Sequence, residues 1–133
     1  QWTTNGKKRC SSGDILFCVR GSTTGRMNWA DRSYALGRGI AAIRHISDTR
    51  LNWFVKAVID NSLQEILAAA TGSTFPNVGK DLLNSFQITV PDASAFKEFG
   101  AKGHTISLSL SQNAKEIDCL SVLQHSLLSQ IST

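Results

Sequence analysis

Asp14-Ile15-Leu16-Phe17-Cys18-Val19, followed directly by Arg20-Gly21-Ser22-Thr23-Thr24-Gly25-Arg26, is the stretch that decides how this chain is read. The first six residues are a short apolar run rich in strand formers, with Gly13 before it and Gly21 after it. Such a run predicts a buried strand over 14–20. In the next seven residues, two glycines bracket three hydroxyl side chains, two arginines flank them, and nothing apolar anchors the segment inward. That composition predicts an exposed loop with hydrogen-bond donors at its tip.

Upstream, residues 1–12 are polar, with Lys7, Lys8 and Arg9 in a row, and read as a loop. Downstream, Ser33-Tyr34-Ala35-Leu36 leads through Gly37-Arg38-Gly39 into Ile40-Ala41-Ala42-Ile43-Arg44, a turn feeding a second buried strand that pairs with the first. From Thr49 to Ala70, Leu51, Phe54, Val55, Val58, Leu63, Ile66 and Leu67 recur mostly at three- and four-residue steps, which is helical periodicity. Asp48 or Thr49 supplies an N-cap, Asn61-Ser62 is a point of division into two helices, and Gly72 supplies a C-cap. A second glycine-bracketed loop, Gly72 to Gly79 with Lys80 behind it, precedes a short helix from Lys80 to Asn84 and a strand from Phe86 to Val90. Pro91 closes that strand, because proline continues neither a ladder nor a helix.

The last forty residues have a different pattern. Counting in sevens from Ile106, one row of the seam falls on Ile106, Asn113, Leu120 and Leu127 and the other, four residues on, falls on Leu110, Ile117, Gln124 and Ile131, so six of the eight are apolar. This is the seam of a coiled coil, in which a polar seam residue such as Asn113 fixes register at some expense in stability. The competing reading is an amphipathic helix lying on its own domain. Thr105 to Leu110 alternates and also reads as strand.

At 133 residues and 41% hydrophobic, the chain holds one core, so the expected organisation is a domain over 1–91 and an appendage over 92–133. Lacking a membrane-length apolar run and a secretory leader, it reads as cytoplasmic, and opening on Gln1 without an initiator Met it reads as a fragment or processed product. Cys10, Cys18 and Cys119 form no CxxC pair and read as free thiols. The net charge of +4 is unevenly spread. Residues 1–56 hold ten Lys/Arg against three Asp/Glu, +7, and residues 57–133 hold four against seven, −3. The basic half is the candidate polyanion face.

Tests for chemistry come back negative. A phosphate-cradling loop needs two glycines five residues apart, then Lys and Ser/Thr. Gly21 to Gly25 is one residue short, and Gly72 to Gly79 is two too long. His45, His104 and His125 sit in no metal-ligand or nucleophile–base spacing, so no catalytic residue and no metal site is predicted. Reading nucleic acid needs only cations against phosphate and rigidly held donors against base edges. The candidates are Arg20, Ser22, Thr23, Thr24 and Arg26 in the first loop, Arg38 in the following turn, and Ser73, Thr74, Asn77 and Lys80 in the second loop. Each hydroxyl taken singly reads equally as a turn cap. The DNA reading requires both loops on one basic face.

Taken together, Gly13-Asp14-Ile15-Leu16-Phe17, Arg20-Gly21-Ser22-Thr23, Gly25-Arg26, Gly37-Arg38-Gly39, Thr71 to Asn77 with Lys80, the strand running into Pro91, and a C-terminal helix with Asn113, Glu116, Ile117, Leu120 and Ser126-Leu127-Leu128 resemble the specificity subunits of type I restriction-modification systems. The resemblance implies an α+β fold: a mixed α/β target-recognition domain, N-terminally truncated here, followed by a coiled-coil-forming helix with Ile106, Leu110, Asn113, Ile117, Leu120, Leu127 and Ile131 on its assembly seam. It implies that this chain recognises double-stranded DNA without catalysing anything. Methylation of adenine and cleavage then fall to a modification subunit and a restriction subunit, which carry S-adenosylmethionine, ATP and Mg. Two copies pairing through the helix would imitate a full subunit. A dimerisation or partner-docking module that reads no DNA is the alternative. The sequence departs from the family in lacking its opening segment, in the Val90-to-Phe96 stretch, and in Gly100 and Gly103, which interrupt the expected helix.

Overall fold

The computed structural model describes residues 7–72 and 75–131, so Ser73 and Thr74 lie outside the described residues. Three short strands, β1 (Ile15–Cys18), β2 (Met27–Trp29) and β3 (Ile40–Ile43), form an antiparallel sheet in the order β2-β1-β3. Central β1 pairs Ile15 with Trp29 on one side and with Ile43 on the other, so the 14–20 strand and the 40–44 strand are neighbours, as their sequences predict. β2 has only three residues, too few to carry a periodic signal, and the sequence reading missed it.

Side chains alternate across a strand. Ile15 and Phe17 are therefore fully buried while Leu16 and Cys18 are only partly so. Their buried face meets α1 (Asn52–Ala68), which presents Ile59 and Ile66, two turns apart on one stripe. Phe17, Val19, Ile59, Ile66 and Val78 make the core, with Leu63 and Leu67 packed against it. That stripe runs straight across Asn61-Ser62, so α1 is one helix and not two. A 3-10 turn over Thr49–Leu51 leads into it, capped by Asp48, whose side chain accepts from the Arg50 backbone N–H at 3.0 Å. The Arg50 guanidinium, and then its backbone N–H, hold the Asp48 carboxyl below the usual carboxylate range.

The short helix α2 (Lys80–Ser85) follows the second loop as expected. The strand predicted at Phe86–Val90 is absent: these residues belong to no sheet, and Ile88 and Val90 are about half exposed. Residue types that suit a strand make one only when ladder hydrogen bonds form with a neighbour, and neither β2 nor β3 bonds to them.

α3 runs from Ala93 to Ile131, 39 residues and roughly 58 Å long. Asp92 caps it, its Oδ1 accepting from the Ser94 and Ala95 backbone N–H groups at 2.9 and 3.0 Å. The alternating Thr105-to-Leu110 stretch is helical. Gly100 and Gly103 do not interrupt the helix; they are its docking notch and are buried in it. A Cβ at Gly100 would stand 2.5 Å from Leu51 Cδ2, and one at Gly103 2.7 Å from Trp53 Cβ. Around the notch, Phe54 meets Phe96 edge-on at 4.8 Å and Trp53 tilts against Trp29 at 4.8 Å. From Ile106 onward every large apolar side chain of α3 is at least half exposed.

Filling the notch tests the docking. Gly103→Val is expected to lower stability by about 1–3 kcal/mol in urea unfolding, the usual range for overpacking. Ser109→Val, on the exposed length of α3, is expected to stay within about 0.5 kcal/mol of the parent. A Gly103→Val protein as stable as the parent contradicts the packing described.

Candidate nucleic-acid interface

The two glycine-bracketed loops are brought together by what β1 does after its ladder ends. The Val19 N–H donates to the Gly39 carbonyl at 2.9 Å, and the Val19 carbonyl accepts from the Val78 N–H at 2.8 Å. Arg20 then bridges to Asn77, which itself bridges back to Thr71. The first loop is thereby seated on the second.

Within the first loop, Gly21 (φ +96°) and Gly25 (φ +89°) take left-handed backbone that other residues avoid. Gly25 also lies directly on α1, where a Cβ would come within 3.2 Å of Leu63 Cδ1. The Thr24 hydroxyl sits 2.7 Å from the Gly21 carbonyl and 2.9 Å from the Pro76 carbonyl, so its single hydrogen is engaged in stapling one loop to the other. Thr23 Oγ1 lies 3.2 Å from Cys18 Sγ. Ser22 is exposed with no side-chain partner among the described residues. Of the five candidates in this loop, Arg20, Ser22 and Arg26 thus present free polar groups to solvent, and the two threonines serve the loop itself.

A cleft of about 810 Å³ opens beside the joined loops, walled by β3, α1, α2 and the segment that carries Lys7, Lys8 and Arg9. Among the described residues seven cationic ones line it, Arg20, Arg38 and Lys80 included, and no carboxylate does. Asn77 also lines it, as does Asn84, one helical turn beyond Lys80 on α2. Arg26 stands outside the cleft at the base of the loop, where its carbonyl accepts from the Cys18 N–H at 2.9 Å just before β2. Lys7, Lys8 and Arg9, read from sequence as a plain loop, reach the rim because Arg9 bridges to Ala35 and the Lys8 carbonyl accepts from Leu36 N–H at 2.9 Å. Their consecutive charge was the available signal.

Charge pairing sorts the remaining cations. The three carboxylates of residues 1–56 are each taken by an arginine outside the loops. Buried Asp14 is bound by Arg44 at 2.5 Å, Asp31 by Arg32 at 3.0 Å, and Asp48 by Arg50 at 2.8 Å. The Tyr34 hydroxyl and then Arg32 hold the Asp31 carboxyl below its ordinary range. Among the described residues no carboxylate pairs with Lys8, Arg9, Arg20, Arg26, Arg38 or Lys80. Unpaired, clustered cations are what an electrostatic landing site for phosphate requires.

Over residues 3–118 the sequence matches the protein family described as the type I restriction modification DNA specificity domain. The chain belongs to that family. No curated protein and no solved structure matches it. The matched span of this specificity domain takes in the sheet, both loops, the cleft and the docked start of α3. Among its described residues no helix is long and apolar enough to cross a membrane. Cys10, Cys18 and Cys119 are free thiols.

Thr24→Val tests the loop staple. It keeps the shape but removes the hydroxyl, and is expected to reduce stability by about 1 kcal/mol and to speed amide exchange at Thr24 and Arg26. Thr24→Ser, which keeps the donor, is expected to restore slow exchange. Unchanged exchange in Thr24→Val would remove the staple from the account.

Proposed function

We propose that this specificity domain reads double-stranded DNA through the face formed by its two joined loops, as the sequence-recognising part of a type I restriction-modification assembly. The observation that carries this reading is the convergence of Arg20, Arg38, Asn77 and Lys80 on one cleft that no described carboxylate lines, with exposed Ser22 and Arg26 on the first loop beside it. Lysine and arginine fix the register on phosphate, and arginine and asparagine side chains pair bidentately with guanine and adenine. Ser73 and Thr74 belong to the second loop and are further candidates. Chemistry on the DNA belongs to partners: a modification subunit that methylates adenine with S-adenosylmethionine, and a restriction subunit that cleaves with ATP and Mg. The assembly works in the cytoplasm.

Selection from a randomised duplex pool at low salt, with a modification subunit added, is expected to enrich one sequence. With about four phosphates neutralised, log K is expected to fall against log salt with a slope near −3.6. Arg20→Ala and Lys80→Ala together are expected to flatten that slope by about 1–2. A pool that yields no enriched sequence, or a slope near zero, ends the DNA reading.

A second role rests on α3, whose seam residues Ile106, Leu110, Ile117, Leu120, Leu127 and Ile131 are all at least half exposed, with Asn113 among them. An apolar stripe of that length on an otherwise undocked helix supports assembly through a coiled coil, with a second copy or with the partner subunit. Assembly alone, without DNA reading, is the alternative function. Replacing Leu120 and Leu127 with Lys is expected to abolish self-association in sedimentation. If the variant sediments like the parent, the seam is not an interface between copies.

A further inference from the structure

Among the described residues β3 is an edge strand, and its residues Ile40 to Ile43 line the cleft. Strand pairing alternates along the ladder: Val19 N–H bonds to Gly39, whereas Cys18 N–H bonds to Arg26 on the opposite side. In the register that sets Phe17 opposite Ala41 and Leu16 opposite Ala42, Ala41 therefore turns its backbone groups toward β1 and Ala42 turns its N–H and C=O outward. Ala42 is half-buried and lines the cleft. A partly buried backbone pair aimed into a groove is a template for another strand.

The other walls suit a strand as well. Four of the five core residues, Val19, Ile59, Ile66 and Val78, reach the cleft, and Val55 and Val58 of α1 add to its apolar floor. Phe86 and Ile88 line the same cleft from a segment that belongs to no sheet. Above the floor the rim is cationic and holds no carboxylate, with Lys8 and Arg9 unpaired among the described residues. An extended chain fits all three features at once. Its backbone pairs with Ala42, alternate side chains face the apolar floor, and the others face the cations. A DNA duplex offers phosphates to the cations, but it has neither apolar side chains for the floor nor a strand backbone to pair with Ala42.

We propose that the cleft beside β3 seats an extended protein segment that joins the sheet as a fourth strand, apolar in the side chains facing α1 and acidic in those facing the rim. This surface shares its cationic rim with the proposed DNA face; the apolar floor and the Ala42 backbone are used by the segment alone.

The test uses the full chain and a capped peptide of about six residues, the usual length of a strand, alternating valine and glutamate. Saturable binding is expected, with exchange of the Ala42 amide slowed about ten-fold or more. The same peptide with alternate backbone amides N-methylated, and a lysine-for-glutamate version, are each expected to bind at least about ten-fold more weakly. The proposal is overturned if the Ala42 amide is not protected, or if either altered peptide binds as well as the first. It is also overturned if duplex DNA protects Ala42 as the peptide does, since the β3 edge is then part of the DNA site.

Discussion

One backbone hydrogen bond, from the Val78 N–H to the Val19 carbonyl, organises the functional half of this domain. It continues β1 past the end of its own ladder and ties the second loop to the strand from which the first loop springs. Both residues it joins are core residues, so the link is formed by the same burial that folds the protein. A backbone pair buried at that depth has no alternative partner in water, and breaking it would leave two unsatisfied groups in an apolar setting. The position of one loop therefore fixes the position of the other. Thr24 adds a side-chain tie at the outer end of the same junction, and Gly25 lets the loop lie against Leu63 and Leu67 of α1.

Charge is distributed to match. The acidic residues of the basic half are neutralised away from the loops, with Asp14 held by Arg44 inside the fold and Asp31 and Asp48 held by neighbouring arginines at the surface. These exposed pairs add little to stability. Their effect is to keep carboxylates off the cleft, where they would oppose a polyanion. The long helix contributes differently: its first turns are fixed by the Gly100–Gly103 notch, and its remaining length projects an apolar stripe that no other described element covers.

Much of this was legible in the sequence, and the parts that were not have physical reasons. β1 and its pairing with β3 followed from two apolar runs bounded by glycine, and both loops followed from their glycines and hydroxyls. β2 was missed because three residues cannot display a period. The Phe86–Val90 strand was wrongly expected because strand formers do not by themselves supply ladder hydrogen bonds with a neighbour. Gly100 and Gly103 were read as breaks because sequence shows the missing side chain and not the Trp53 and Leu51 that take its place. Among the site residues, Arg20, Arg38, Asn77 and Lys80 meet in one cleft, but only the fold shows that Lys7, Lys8 and Arg9 join them and that the Thr24 hydroxyl is already engaged. Ladder registers and hydroxyl partners depend on contacts across long sequence separations, which residue patterns do not encode.

The central claim is that the two loops act as a single DNA-reading face. It is tested most directly by placing a photo-crosslinker at position 22 and, in a separate protein, at position 77, and mapping the adducts on the selected duplex with the modification subunit present. The account predicts crosslinks from both positions to neighbouring base pairs of one site. Crosslinks from one loop alone, or from neither while sequence-selective binding persists, would contradict it.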